Sequence, residues 1–363
     1  MICSAPRQRG YRLSLALLLI ACTPFLSGCR GGIRKNVRPR FELVEVPAAI
    51  DTSRTELTKA EAKHSLSALD RMRSASGTQD LPAELRREVD NVLEQAAAQL
   101  IVELTNPHRL EDLTVINLPR SLALEAGLRA ARLYYEDGKR MRAFRLIRKL
   151  DQNFPQHHER QAAGKLLSEI GFDLAQDKGR YGLFFHYRGL APQVLEYLVL
   201  NYPNDPTGDQ ALWTLAATYE RESRWEVAIE KHQDLILWFS DSQRAAASEA
   251  RIPHLRLAAL GSPHYDRTSM RVAREELEAW LQNHLGHALE EEVRVDLKDA
   301  IQRLTDNDLI VARFYRRVKS FTGAEYHARR AVEQARDGGD PDQIDEAERT
   351  LSKILAWGEK SAR

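Results

Sequence analysis

Residues 211–239 read ALWTLAATYERESRWEVAIEKHQDLILWF. Ala211, Leu212, Leu215, Ala216 and Tyr219 recur at helical steps and fall on one face. Ser223-Arg224 breaks the pattern. Trp225, Ala228, Ile229, His232, Leu235, Ile236 and Phe239 then resume it on a second helix. Two short amphipathic helices joined by a tight turn cannot bury both apolar faces alone. Neighbouring pairs must cover them, so stacking into a solenoid is the expected solution.

Outward from this stretch the pair recurs. One copy has Ala130, Ala131, Tyr134, Gly138, Ala143, Ile147, Leu150 and Pro155 in the same register. Another has Val311, Ala312, Tyr315, Phe321, Ala324, Ala328 and Ala331. A degenerate copy keeps Ala191, Leu195, Leu198 and Pro203, but residues 177–189 (DKGRYGLFFHYRG) separate its helices. A second degenerate copy spans about 244–286, with Ala273, Leu277 and Trp280. Small residues at Ala216, Ala228 and Ala324 allow close helix approach, where bulk would splay the pair.

The pattern resembles the tetratricopeptide repeat. Leu212, Leu215, Ala216, Tyr219, Ala228, His232 and Leu235 fall in its register, with Trp225 in the turn. His232 stands where an aromatic is usual, and Ser240 where Pro is usual. The predicted fold is all-α: a tetratricopeptide-like solenoid of about five repeats over residues 119–336. Residues 51–118 form an N-terminal helical region, and residues 337–363 a C-terminal helix. In the former, Thr58-Lys59-Ala60-Glu61 is a capping box before a helix to about Ser74. Pro82 opens a second helix to about Leu104. Residues 105–118 read as a connecting loop. No stretch shows a convincing strand alternation.

The N-terminus carries a different signal. Residues 1–28 hold Arg7, Arg9 and Arg12 and no acidic residue, followed by an apolar run from Leu13 to Leu26. This describes an export signal peptide. The run is shorter than the roughly 20 residues a membrane span needs. Leu26-Ser27-Gly28-Cys29 resembles the bacterial lipobox. The resemblance implies cleavage between Gly28 and Cys29, with diacylglyceryl and N-acyl lipid on the Cys29 thiol and amine, and no other cofactor. An ordinary secretory cleavage site beside a chance cysteine is the alternative. Cys3 and Cys22 leave with the leader, so the mature chain keeps no free thiol and no disulfide. Arg30 rather than Asp follows the cysteine, which in such lipoproteins implies the outer membrane, periplasmic face. Residues 29–50 read as a lipidated flexible tether. Its Arg30, Arg34, Lys35, Arg38 and Arg40 suit anionic headgroups, and equally a solvated linker.

The 363-residue chain has a formal charge of +1. Without the leader arginines the mature chain is at −2, and without the five tether cations residues 41–363 are at −7. Such a body has no electrostatic footprint for nucleic acid and suits protein partners. No phosphate loop, dinucleotide glycine pattern, nucleophile elbow or His-Glu-x-x-His occurs. His157-His158-Glu159 and His284-x-x-His287 have no further ligand at metal-binding spacing. No stretch remains for a compact catalytic domain, so a non-enzymatic role is expected.

Helix pairs that end in NFPQHH, NYPNDP and WFSDSQ, then HYDRTSMRVAREELEAWLQNH and LTDNDLIVARFYRRVKSFTGAEYHARRAVEQ, are similar to BamD-type outer-membrane lipoproteins. Asp266, Thr268, Val311, Ala312, Tyr315, Ala324 and Arg329 carry the match over about residues 119–336. The chain departs from that family in its residues 51–104, the 177–189 segment, and the lack of Tyr-Pro from the third repeat onward. The resemblance implies a scaffold of the β-barrel assembly machinery, with the barrel-forming subunit and unfolded outer-membrane proteins as partners. Another lipidated repeat adaptor, such as a pilotin or a cell-wall or division coordinator, is the alternative. In tetratricopeptide arrays the first helix of each pair lines the groove. That register selects Leu128, Arg132 and Tyr135; Trp213, Ala217, Glu220 and Arg221; and Leu309, Arg313, Arg316 and Arg317. The last three arginines are a candidate cationic patch, or else a solvated helix face. Trp213 is a contact residue or a packing residue.

Overall fold

The computed structural model describes residues 82–361 except 116, 117, 182–184, 263 and 265. The leader, Cys29 and the capping box at Thr58 lie outside the described residues. Among those described are thirteen α-helices. These are α1 (Ala83–Glu103), α2 (Pro107–Val115), α3 (Arg120–Glu136), α4 (Arg140–Asn153), α5 (Arg160–Gln176) and α6 (Ala191–Asn201). Next come α7 (Gly208–Arg221), α8 (Trp225–Trp238), α9 (Gln243–Ala259), α10 (Arg267–Asn283), α11 (Glu290–Arg317), α12 (Phe321–Gly338) and α13 (Pro341–Ser361).

The fold is an all-α stack of helix pairs. From α2 onward each helix packs on the next. In addition α1, α3, α5, α7, α9 and α11 each pack on the following odd-numbered helix, and among the described residues no even-numbered pair does so to the same extent. Closer spacing in one layer bends a stack toward that layer. The first helices therefore form the inner side, the geometry of helical-repeat solenoids. Apolar burial is continuous from Ala97 on α1 to Leu255 on α9. A second cluster joins α9, α10 and α11 around Met270, Leu277 and Trp280.

Backbone geometry marks the repeats more sharply than side chains do. Within three pairs the turn is the same. Gly138, Ser223 and Lys319 have φ of 73°, 56° and 62°. Just after them, the amides of Lys139, Arg224 and Ser320 donate to the carbonyls of Tyr134, Tyr219 and Tyr315 at 2.8, 2.9 and 2.9 Å. This closure caps the first helix and starts the second. Between pairs a second motif recurs. Phe154, Tyr202, Phe239 and His284 end α4, α6, α8 and α10 with φ between −125° and −134° and ψ between 45° and 64°.

The Tyr-Pro motif gains a physical role at the second of these positions. Tyr202 donates to Asp151 of the preceding pair at 2.7 Å. Tyr197 donates to the same carboxylate at 2.7 Å, and His157 reaches it at 3.0 Å. In the third pair, where Pro is missing, Ser242 caps α9 by accepting from the Arg244 amide at 3.1 Å. Its hydroxyl donates to Asp209 at 2.6 Å. Asp266 of the Asp-x-Thr motif is likewise a helix cap, accepting from the Thr268 amide at 3.0 Å. Each cap satisfies an otherwise unpaired N–H at the helix start.

Two expectations are corrected. Residues 105–118 are not a plain loop, because Pro107–Val115 is helix α2. Asn106 accepts from the His108 amide at 3.0 Å, Pro107 fits the first helical position, and Leu110 and Leu113 are fully buried. The 177–189 segment also holds short strands, β1 (Arg180–Tyr181) and β2 (Phe185–His186), paired antiparallel with Arg180 opposite His186. A helical turn at Tyr187–Leu190 then leads into α6. Asp177 anchors the segment's base through the Gly179 amide at 2.7 Å and through Arg140 on α4.

Candidate functional site

The inner layer positions most of the residues selected from the repeat register. On α3, Arg132 pairs with Glu169 of α5. Tyr135 donates to Asp173 of α5, and the Arg132 guanidinium lies 5.7 Å from the Tyr135 ring centre. Burial first, and then the Asp173 carboxylate, push the Tyr135 hydroxyl up to about 12. These two residues hold one first helix to the next while remaining partly accessible. Leu128 is half-buried against the core beside them.

On α7, Trp213, Ala217 and Glu220 open into a cleft of about 290 Å³. Its other walls come from His232 on α8, from Ala247, Ala250 and Arg251 on α9, and from Leu289, Glu292, Val293 and Asp296 at the start of α11. Glu220 is the electrostatic centre of the cleft. Arg251 donates to it through Nη2 at 2.8 Å and through Nε at 3.1 Å. His232 Nε2 lies 3.1 Å from its other oxygen, and His232 Nδ1 lies 3.0 Å from the Ser248 hydroxyl. Burial alone would raise the Glu220 carboxyl. The hydrogen bonds from His232 and Arg251, with the guanidinium charge, outweigh it and bring the group down to about 2. The Trp213 ring meets His232 edge-on at 5.3 Å. Arg221 turns away from the cleft and donates to the Ala217 carbonyl at 3.2 Å and to Thr218 Oγ1 at 2.9 Å.

The end of α11 departs from the expected groove. Leu309 is 1% exposed, packed with Ala331, Val332, Ala335 and Ala347. Its place in the groove is therefore corrected, because α13 lies on α11 and occupies the position of the next first helix. Arg313 pairs with Glu346 of α13. Arg316 and Arg317 are exposed at the C-terminus of α11, beside exposed Phe314 and Val318. Of the three arginines, the structure thus leaves two facing solvent and ties the third to an acidic neighbour.

Sequence reasoning missed Arg251, Glu292 and Asp296. They come from a repeat whose first helix had lost its register and from the start of an unusually long helix. The replacement of an aromatic by His232 was the available signal, since a buried imidazole needs polar partners. Also missed was Asp308, fully buried between α10, α11 and α12. It lies 2.7 Å from His327 Nδ1, 3.1 Å from Gln334 Nε2 and 3.2 Å from Arg267 Nη2. His284 and His287, near a helix junction, pack on a tryptophan, whereas His158 is exposed. His284 stacks on Trp280 at 4.6 Å, and His287 meets the same ring edge-on at 5.3 Å. Among the described residues, no group of three His, Cys, Asp or Glu side chains is placed to hold a metal ion. Among them also, no helix is long and apolar enough to cross a membrane.

No family model matches the chain, and no curated protein matches it. Among solved structures, similarity extends to BtubC (BKLC) from P. vanneervenii at 14% identity, over 81% of this chain and 90% of that one, with a TM-score of 0.22. A circular tandem repeat protein with novel repeat topology matches at 14% identity, over 86% of this chain and 75% of that one, with a TM-score of 0.20. Superpositions this loose add nothing to the fold read directly from the helix packing. That packing defines the class, a helical-repeat solenoid.

Proposed function

We propose that this protein is a lipid-anchored, non-enzymatic scaffold on the periplasmic face of the outer membrane. In this reading it serves β-barrel protein assembly and docks partner proteins on its inner helix layer. The observation that carries the docking role is the cleft of α7, α9 and α11. Three first helices pack side by side there and present a half-buried Trp213 beside fixed charges. Rigid concave surfaces with aromatic and arginine anchors are what helical-repeat proteins use to hold partner segments. The membrane anchor rests on Leu26-Ser27-Gly28-Cys29 behind a basic, apolar leader. The two or three acyl chains of a bacterial lipoprotein exceed the single chain that binds a membrane only marginally. The partners, the barrel-forming subunit and unfolded outer-membrane proteins, follow from the resemblance to BamD-type lipoproteins.

The paired strands Arg180–Tyr181 and Phe185–His186 and the Ser-based cap in place of Tyr-Pro favour a second reading, in which the same anchored stack serves another envelope system. Detergent-solubilised pull-down of the native chain with mass spectrometry separates the two. Co-purification of a barrel-forming subunit with periplasmic domains is the expected result. Recovery of a secretin, pilus or division component without that subunit would overturn it.

A further inference from the structure

The α7–α9–α11 cleft has a composition that selects its occupant. Its floor is small: Ala217, Ala247 and Ala250 leave room that longer side chains would fill. Trp213 forms one apolar wall, and Leu289 and Val293 form another. At about 290 Å³ it lies near the lower end of ligand pockets, around 300 Å³, and suits one long side chain rather than a cofactor.

The charges in the lining are unequal. Glu220, Glu292 and Asp296 face a single guanidinium, Arg251, which leaves a formal −2 with His232 neutral. Arg251 is committed to Glu220. Asp296 lies 2.9 Å from His254. Glu292 is exposed and forms no ion pair among the described residues. An acidic occupant would be repelled, and a purely apolar one would strip water from carboxylates without replacing it.

We infer that this cleft receives the arginine or lysine side chain of an extended partner segment, an inference that rests on the inner layer being the docking face. The methylene stem lies against Ala217, Ala250 and Val293, as long basic side chains commonly bury their stems. The charged head meets Glu292 and Asp296, and the Trp213 ring offers a cation–π face. Arg251 and His232 keep Glu220 fixed, so the negative rim is preformed before the partner arrives.

The test uses purified full-length chain and fluorescently labelled extended hexapeptides that differ only at a central Arg, Lys, Gln, Leu or Glu. Binding is read by anisotropy. The Arg and Lys peptides bind tightest, and their affinity falls on raising salt from roughly 50 to 300 mM. Glu292→Gln weakens them about threefold to fivefold, with the melting curve unchanged because Glu292 is exposed. Glu292→Gln with Asp296→Asn weakens them further. Arg316→Glu with Arg317→Glu, about 30 Å along α11, leaves them unaffected. Equal binding of the Leu or Glu peptides, absence of binding by any peptide, or an Arg preference that survives Glu292→Gln would each overturn the inference. This purified assay and the cellular pull-down fail independently, so loss of one leaves the other reading intact.

Discussion

Glu220 shows how a single side chain was both found and misjudged. The repeat register placed it on the inner layer, where it stands. The register could not show that Arg251 and His232 already hold it. Its carboxyl is lowered from 4.5 to about 2 in the folded chain. The stability it contributes is therefore complete above pH 4.5 and is lost as pH falls from there toward 2, with an upper bound of about 3 kcal/mol. Glu220→Gln is expected to lower the melting temperature at pH 7 while flattening its decline between pH 5 and 2. An unchanged acid limb in thermal melts would contradict the assignment. Ser223 poses the opposite case. It holds φ of 56° at a turn that Gly138 makes in an earlier pair. Ser223→Gly should therefore raise stability by about 1 kcal/mol, read as a higher urea midpoint.

At the scale of elements, legibility followed periodicity. The 211–239 pair was readable because both helices carry unbroken apolar steps and the turn between them is polar. Helix α2 was not. Asn106-Pro107 reads as a turn dipeptide, and the helix that Pro107 opens is only nine residues long. Leu110 and Leu113 are too short a series to establish a period. The signal that would have found α2 is the cap itself, Asn followed by Pro at the first helical position. Leu110→Ala should cost about 2–4 kcal/mol, the range for a fully buried leucine, whereas a loop leucine would cost well under 1. Calorimetric melting distinguishes the two. Leu309 failed for a related reason. Its register was right for a groove residue in mid-array, but α13 ends the array and covers it.

At the scale of the whole molecule, the stacking of pairs could be foreseen because an isolated pair leaves an apolar face bare. The cleft could not, since it combines α7 and α9 with the start of α11, three elements from successive pairs. The anchor belongs to this scale too. Cys29→Ala should move the chain from the membrane pellet to the soluble periplasmic fraction. Persistence in the pellet would remove the lipid from the proposal. The inner layer as docking face is tested most directly by photo-crosslinking in intact cells. A photoreactive phenylalanine is placed either at Ala217, inside the cleft, or at Arg271, exposed on second helix α10. Crosslinks to an envelope protein from position 217 and none from 271 are expected. Crosslinks from 271 with silence at 217 would contradict the inner-face docking on which the functional reading depends.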